Sequence, residues 1–187
     1  MSQSELTEKQ TRRISKFMSY VLRHHPGKIG IELDENGWIA VDLLLQAFAS
    51  QGREISRATL DYVVRTNNKK RFQYSEDGCR IRATQGHSIN VDLGYEPAEP
   101  PEYLYHGTYT KAIGSIRATG LTRQQRHHVH LHLDKTLAVD VGSRRGQPVL
   151  LVVRSKEMSE AGHEFFVTPN GVWLTERVPP EFIEFPE

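Results

Sequence analysis

Guanidinium and imidazole side chains gather at five places along the chain, each beside apolar residues. They are Leu22-Arg23-His24-His25-Pro26, Lys69-Lys70-Arg71-Phe72, Arg80-Ile81-Arg82 leading into Gln85-Gly86-His87-Ser88, Tyr105-His106-Gly107-Thr108, and Arg126-His127-His128-Val129-His130. The net charge is only +1, so such clustering gains nothing in solubility. A guanidinium fork set among Val, Leu, Ile and Phe calls for an anionic partner, and its planar geometry suits phosphate. The chemistry indicated is recognition of a ligand that carries several phosphates.

Each cluster also has a plainer reading. Arg23 and His24 close a helix, where a cation complements the helix dipole by roughly 0.3–1 kcal/mol. That accounts for one cation better than for an Arg-His-His run stopped by proline. Lys69-Lys70-Arg71 in isolation reads as a solvated face or a nonspecific phosphate contact. Arg82 with Gln85, Gly86, His87 and Ser88 forms a donor-rich loop with open amides, suited to an oxyanion or phosphate. In His106-Gly107-Thr108 the glycine would let a ligand approach closely while His106 and Thr108 supply hydrogen bonds. His128, His130 and His132 alternate along a strand with Asp134 next on the same face. A metal site is therefore a rival reading there, although no further acidic cluster sits near it.

These residues need elements to hold them. Ile14, Phe17, Met18, Val21 and Leu22 follow helical spacing, with Thr11 as the expected cap and His25-Pro26-Gly27 as the stop. A turn at Asp34-Glu35-Asn36-Gly37 leads to a strand over 38–41. Asp42 then caps a second helix and Ser56 a third. Residues 71–83 read as a β-hairpin turning at Ser75-Glu76-Asp77-Gly78. Helices followed by a hairpin resemble a winged helix. Glu96-Pro97-Ala98-Glu99-Pro100-Pro101-Glu102 reads as an extended, solvated linker. It separates a lobe over residues 1–95 from one over 103–187.

The second lobe is richer in strands. Tyr103-Leu104-Tyr105 leads into the His-Gly-Thr motif, and a helix through Ala112, Ile113 and Ile116 ends at Gly120. His128 to Leu133 alternates histidines with apolar residues. Val149 to Val153 is a continuous apolar run and so a central strand. Gly171-Val172-Trp173-Leu174 and Phe182-Ile183-Glu184-Phe185 are further strands. The fold class expected is α+β.

The 187 residues are 37% hydrophobic and 25% charged, the composition of a globular domain or two. No apolar run reaches the length of a membrane span, and MSQSELTEKQ lacks a signal-peptide core, so a cytoplasmic location is expected. The single cysteine, Cys79, excludes an internal disulfide and any thiolate metal cluster. Near-neutral charge argues against histone-like binding to nucleic acid but leaves room for a local basic groove.

The ordered set of motifs resembles the RNA (tRNA) 2′-phosphotransferases of the KptA type, enzymes that remove a splice-junction 2′-phosphate from RNA using NAD. The resemblance runs from about Ile14 to Pro180. It rests on Ser19-Tyr20-Val21-Leu22-Arg23-His24, residues 37–44, Lys70-Arg71-Phe72, residues 81–88, Tyr105-His106-Gly107-Thr108, Gly120-Leu121, residues 126–131 and Gly171-Val172-Trp173-Leu174. It implies an N-terminal winged helix that binds RNA and its 2′-phosphate, and a C-terminal ADP-ribosyltransferase-like lobe that binds NAD. It implies that Arg23, His24, Arg71 and Arg126 are catalytic, with both lobes contributing. NAD contacts would come from His106, Gly107, Thr108, Ser115 and either His128 or His130, of which His130 is preferred. Arg82, Gln85, His87 and Ser88 would contact the RNA. No metal is expected, and His132 is left without a role.

In the family reaction the 2′-phosphate attacks the nicotinamide-bearing ribose carbon and expels nicotinamide, giving a phospho-ADP-ribosylated RNA. A neighbouring ribose hydroxyl then attacks the phosphate, releasing 2′-OH RNA and ADP-ribose 1″,2″-cyclic phosphate. The arginines would screen like charges and stabilise the charge that develops. His24 would hold the phosphate or move a proton. The resemblance further implies that Glu164 and Glu176, the late acids, are dispensable. A protein ADP-ribosyltransferase, by contrast, usually needs a glutamate to activate a weak nucleophile. An ADP-ribosyltransferase acting on another acceptor, such as a nucleic-acid terminal phosphate, is the alternative. A non-enzymatic winged-helix DNA binder is a third reading, disfavoured by the phosphate-shaped arginine set. Expected partners are 2′-phosphorylated RNA and NAD, without a membrane, and the chain is expected to be a monomer.

Overall fold

The first helix, α1 (Glu8–Arg23), begins one turn earlier than the apolar spacing predicts because Thr7 and Gln10 form a capping box. The Thr7 side chain accepts from the Gln10 amide while the Gln10 side chain accepts from the Thr7 amide. Thr11 instead returns its hydroxyl to the Thr7 carbonyl from within the first turn. At the other end His24 caps the helix and Pro26 starts a single 3₁₀ turn, as the proline stop requires. The computed structural model describes residues 6–186, so the polar opening residues 1–5 lie outside the described residues, as does residue 187.

After α1 come β1 (Ile39–Ala40), α2 (Val41–Ser50), α3 (Arg57–Arg65), β2 (Phe72–Tyr74) and β3 (Arg80–Ala83). Asp42 does not cap α2: the helix begins at Val41 and Asp42 lies inside the first turn, where its charge still complements the dipole. Ser56 caps α3 as expected, accepting from the Thr59 amide. The hairpin forms with Phe72 opposite Ala83 and Tyr74 opposite Ile81, and Gly78 takes the left-handed φ of 69° that its turn demands. The sheet order is β1-β3-β2, all antiparallel. Met18, Val21, Leu22, Leu44, Phe48, Leu60, Val63 and Ile81 fill the core of this unit, which spans Met1–Gly94.

The second unit spans Tyr95–Glu187. Its elements are β4 (Leu104–Tyr109), α4 (Ile113–Thr119), β5 (Leu121–Thr122), β6 (Val129–Leu131), α5 (Lys135–Gly142), β7 (Pro148–Val153), α6 (Ser155–Glu160), β8 (Phe166–Val167), β9 (Trp173–Thr175), β10 (Arg177–Val178) and β11 (Ile183–Glu184). The apolar run is indeed a central strand: β7 lies between β11 and β4. A second sheet orders β6-β9-β8, and a two-stranded pair joins β5 to β10. Backbone bonds between Tyr105 and His132 in both directions link β4 to the end of β6. The molecule is a mixed α+β protein.

Three further expectations change. The strand over the histidines ends at Leu131, so Leu133 is exposed and not part of an apolar face. Asp134 does not face a metal; its carboxylate caps α5 by accepting from the Leu137 amide at 2.9 Å. The proline-rich stretch 96–102 is extended but docked: Ala98 donates to the Phe165 carbonyl, and the Pro101 carbonyl accepts from the Ser155 hydroxyl. No helix among the described residues is long and apolar enough to cross a membrane.

Candidate active site

In the first unit the phosphate-type residues meet around one short loop. Beyond the hairpin, the Thr84 amide donates to the Arg71 carbonyl at 2.9 Å and the Thr84 hydroxyl to the Lys70 carbonyl at 3.2 Å. Four residues later the Ser88 amide donates to the Arg23 carbonyl at 2.9 Å. Loop 84–88 is therefore fastened to Arg71 at one end and to the close of α1 at the other. The His24 ring joins in, with Nδ1 2.9 Å from the Ser88 hydroxyl. Gly86 takes a φ of 84°, and its Cα faces the Arg23 guanidinium, 3.6 Å from where a Cβ would stand. Loop 84–88 thus brings together Arg23, His24 and Ser88, with Arg71 tied in through its main-chain carbonyl, from three segments distant in sequence. Thr84 had given no sign of its part, because its contribution is made mostly through the backbone.

Arg82 and His87 sit differently. Both are buried. Arg82 lies over the Trp38 ring at 4.4 Å and donates to the Asn36 and Leu93 carbonyls. It locks the segment after the loop onto the turn before β1. His87 packs with its Nε2 beside Gly37. These two residues shape the loop from beneath. Cys79 is exposed at the hairpin turn, its amide bonded to the Asp77 carboxylate.

In the second unit Arg126, His130 and His106 form a relay. Arg126 Nη1 lies 3.2 Å from His130 Nδ1, and His106 Nδ1 lies 3.0 Å from the His130 carbonyl. Arginine only donates and a carbonyl only accepts. His130 therefore accepts at Nδ1 and carries its proton on Nε2, while His106 carries its proton on Nδ1 and presents Nε2 as an acceptor. Both tautomers are thus fixed by their neighbours, with the proton on Nε2 of His130, itself buried, and on Nδ1 of His106. His128 instead packs on the Phe166 ring at 5.6 Å, which separates it from the pair. Arg144 and Arg145, in the short turn after α5, were not singled out by sequence; their only sign there was an Arg-Arg-Gly step. With partial burial, their cations push the Arg126 guanidinium pKa down. The exposed cations of Arg144 and Arg145 add to the positive field at Arg126, which favours an anion. Ser115 is exposed on α4.

Gly107 serves a purpose other than ligand approach. A Cβ there would stand 1.6 Å from the Ala138 carbonyl oxygen, so the space beside it belongs to α5. Gly142 mirrors this, since its Cβ would meet the Thr108 carbonyl at 2.3 Å. Helix and strand touch backbone to backbone at these two glycines, and Thr108 is buried beneath them. Among the described residues no group of three or more His, Cys, Asp or Glu side chains is gathered to hold a metal ion.

Burial pushes the His106 pKa down, the His130 carbonyl pushes it back up, and Arg126 lowers it further, with a net fall. The unfolded chain takes up a proton at this histidine near pH 6.5 while the folded chain resists. The stability that neutral His106 contributes is thus present above that pH and lost as pH falls below it. Between about pH 7.5 and 5.5 the urea midpoint of the wild type should fall more steeply than that of His106→Gln. Parallel midpoints would show that His106 is not held neutral.

The family profile described as RNA 2′-phosphotransferase, Tpt1 / KptA family, matches residues 9–177. The chain belongs to the RNA 2′-phosphotransferase family. It is 52% identical over 180 residues to a "Probable RNA 2′-phosphotransferase" of Flavobacterium johnsoniae, covering 96% of this chain and 99% of that protein. To the protein of the same name from Streptomyces griseus it is 50% identical over 186 residues, 95% of this chain and 98% of the other. To that of Pseudomonas aeruginosa UCBPP-PA14 it is 53% identical over 170 residues, 90% and 93%. Membership in the RNA 2′-phosphotransferases makes the chain a transferase whose substrate is RNA. Both the loop 84–88 cluster and the Arg126 relay fall inside the matched span.

Proposed function

We propose that this RNA 2′-phosphotransferase removes an internal 2′-phosphate from RNA in the cytoplasm, consuming NAD as a co-substrate. The observation that carries the reading is the fastening of loop 84–88 to both Arg71 and Arg23, with His24 on Ser88. It sets the Arg23 guanidinium and the His24 ring against the loop and ties the Arg71 backbone to its other end, so that guanidinium, imidazole and hydroxyl donors could serve a phosphate dianion. Arg23 and Arg71 hold the 2′-phosphate, Gln85 and Ser88 add donors, and His24 moves the proton that the departing 2′-hydroxyl requires. Arg82 and His87 keep the loop in shape.

The second unit fits the dinucleotide. NAD brings a pyrophosphate and ribose hydroxyls, and supplies an electrophilic ribose carbon. The donor on His130 and the acceptor on His106 suit ribose or amide groups, and Arg126, backed by Arg144 and Arg145, suits the pyrophosphate. The β1-β3-β2 sheet order with three helices supports a winged-helix reading of the first unit. The second unit is read as ADP-ribosyltransferase-like.

The deciding experiment is incubation with a synthetic RNA carrying one internal 2′-phosphate, with and without NAD. Nicotinamide release in step with phosphate loss is the expected result. Nicotinamide release with the phosphate retained as an ADP-ribosyl adduct would move the chain to the alternative acceptor class. A glutamate substitution refines the answer. Glu164 and Glu176 are exposed, and a carboxylate beside an anionic nucleophile would repel it. Glu176→Gln should therefore leave the initial rate within about twofold, whereas loss of a general base costs roughly 10²-fold or more.

A further inference from the structure

One face of α1 is a line of cations. Lys9, Arg12, Arg13, Lys16, Tyr20 and Arg23 recur at three- and four-residue steps and so share one side of the helix. The first five are exposed. The opposite side, with Met18, Val21 and Leu22, is buried in the core of the first unit. Among the described residues the one ion pair along this line is Arg12 with Glu8 at 3.6 Å, where both side chains are largely in water and the pairing is weak. The arginines around α3 are engaged at home: Arg57 with Asp61 and the Gly78 carbonyl, Arg65 over Tyr62, Arg53 over Phe17. The Lys69–Lys70 turn borders α1, because Asn67 donates to the Ser15 hydroxyl and accepts from the Lys70 amide.

We propose that this face is a track for the RNA strand flanking the 2′-phosphate, with Lys9, Arg12, Arg13 and Lys16 pairing with successive backbone phosphates and Tyr20 offering its ring to a base. The inference rests on the assignment of the 2′-phosphate to Arg23 and His24, where the line ends. From Lys9 to Arg23 the helix rises roughly 21 Å, about six nucleotides of a stacked strand. Cations alternating with an exposed aromatic ring are what single strands require without sequence readout. The same cations would suit an anionic lipid surface, but a helix lying on lipid must offer it an apolar face, and here that face is spent on the core.

The test uses the full chain and Lys9→Gln/Arg12→Gln/Arg13→Gln/Lys16→Gln, substitutions that keep helix propensity. Two substrates bear the same 2′-phosphate: a dinucleotide and an RNA of about ten nucleotides, long enough to cover the track. For the long RNA the variant's KM should rise about tenfold relative to its KM for the dinucleotide, with kcat held. The log–log salt slope for binding an unmodified ten-nucleotide RNA should fall by about 0.7 for each backbone phosphate that the variant no longer neutralises. Equal changes on both substrates, or no change on either, would overturn the track, as would variant-sensitive binding to phosphatidylserine vesicles with unaltered RNA binding. If the wild type removes no 2′-phosphate from any RNA, the assigned activity fails, while the binding slope still reports on the track by itself.

Discussion

Arg126→Ala should lower kcat/KM for 2′-phosphate removal by roughly 10²–10³, ~3–4 kcal/mol of transition-state stabilisation. The loss has two parts. The guanidinium fork that meets anionic charge is gone, and so is the donor that fixes the His130 ring. With Arg126 present, His130 Nδ1 must accept and Nε2 must carry the proton. Without it both tautomers are open, and the His106–His130 pair no longer offers a single donor–acceptor pattern. Arg126→Lys restores charge but not the planar fork, so it should recover less than about a tenth of the lost rate. Nicotinamide release and phosphate loss are followed separately. Both should fall in Arg126→Ala if the residue acts on the dinucleotide. Arg71→Ala keeps the backbone bond that anchors loop 84–88 but removes the guanidinium proposed to hold the 2′-phosphate, so it should show the larger defect in phosphate loss. Near-wild-type rates for Arg126→Ala in both readouts would remove the relay from the site.

How much of this was legible in the chain depends on what made each feature. The buried face of α1 could be read because its apolar residues are large and evenly spaced, and β7 because a central strand must be apolar throughout. The hairpin was legible from Ser75-Glu76-Asp77-Gly78, whose glycine has one natural conformation there. Helix α5 was not. It packs through Ala138 and Gly142 while Leu137 is exposed, so its contact depends on small residues and leaves no apolar stripe to see. The candidate catalytic residues were visible by type, as arginines and histidines clustered beside apolar residues. Within the first unit, the joining of Arg23, His24 and Arg71 to one loop was not visible, because it depends on backbone bonds from Thr84 to Arg71 and from Ser88 to Arg23. Arg82 and His87 have the same composition as contact residues. Only the tertiary fold, through Trp38 and two carbonyls, sends Arg82 inward. Which of His128 and His130 Arg126 reaches was likewise invisible in the chain, and the fold makes it His130.

Gly107→Ala should cost the second unit its fold. A methyl group at this position would sit 1.6 Å from the Ala138 carbonyl oxygen and 2.4 Å from its carbon. Both are backbone atoms of α5, so no side-chain rotation relieves the clash. The helix must move away from β4, and its counterpart contact, Gly142 on the Thr108 backbone, must open with it. β4 is also the strand that carries His106 and pairs along its whole length with central β7. A single methyl group thus sets helix packing against the main sheet, and a cost above about 4 kcal/mol is expected, comparable to the whole stability of a small domain. Hydrogen exchange across the full chain should show protection lost in β4, α5 and β7, with a fall in the thermal midpoint of several degrees or more. The result bears on function as well as stability. If Gly107 were small only to admit a ligand, Gly107→Ala would melt like the wild type and lose activity alone. A wild-type melting curve would therefore refute the packing role. Loss of protection confined to these elements would show that the His-Gly-Thr motif holds a helix in place before it can hold anything else.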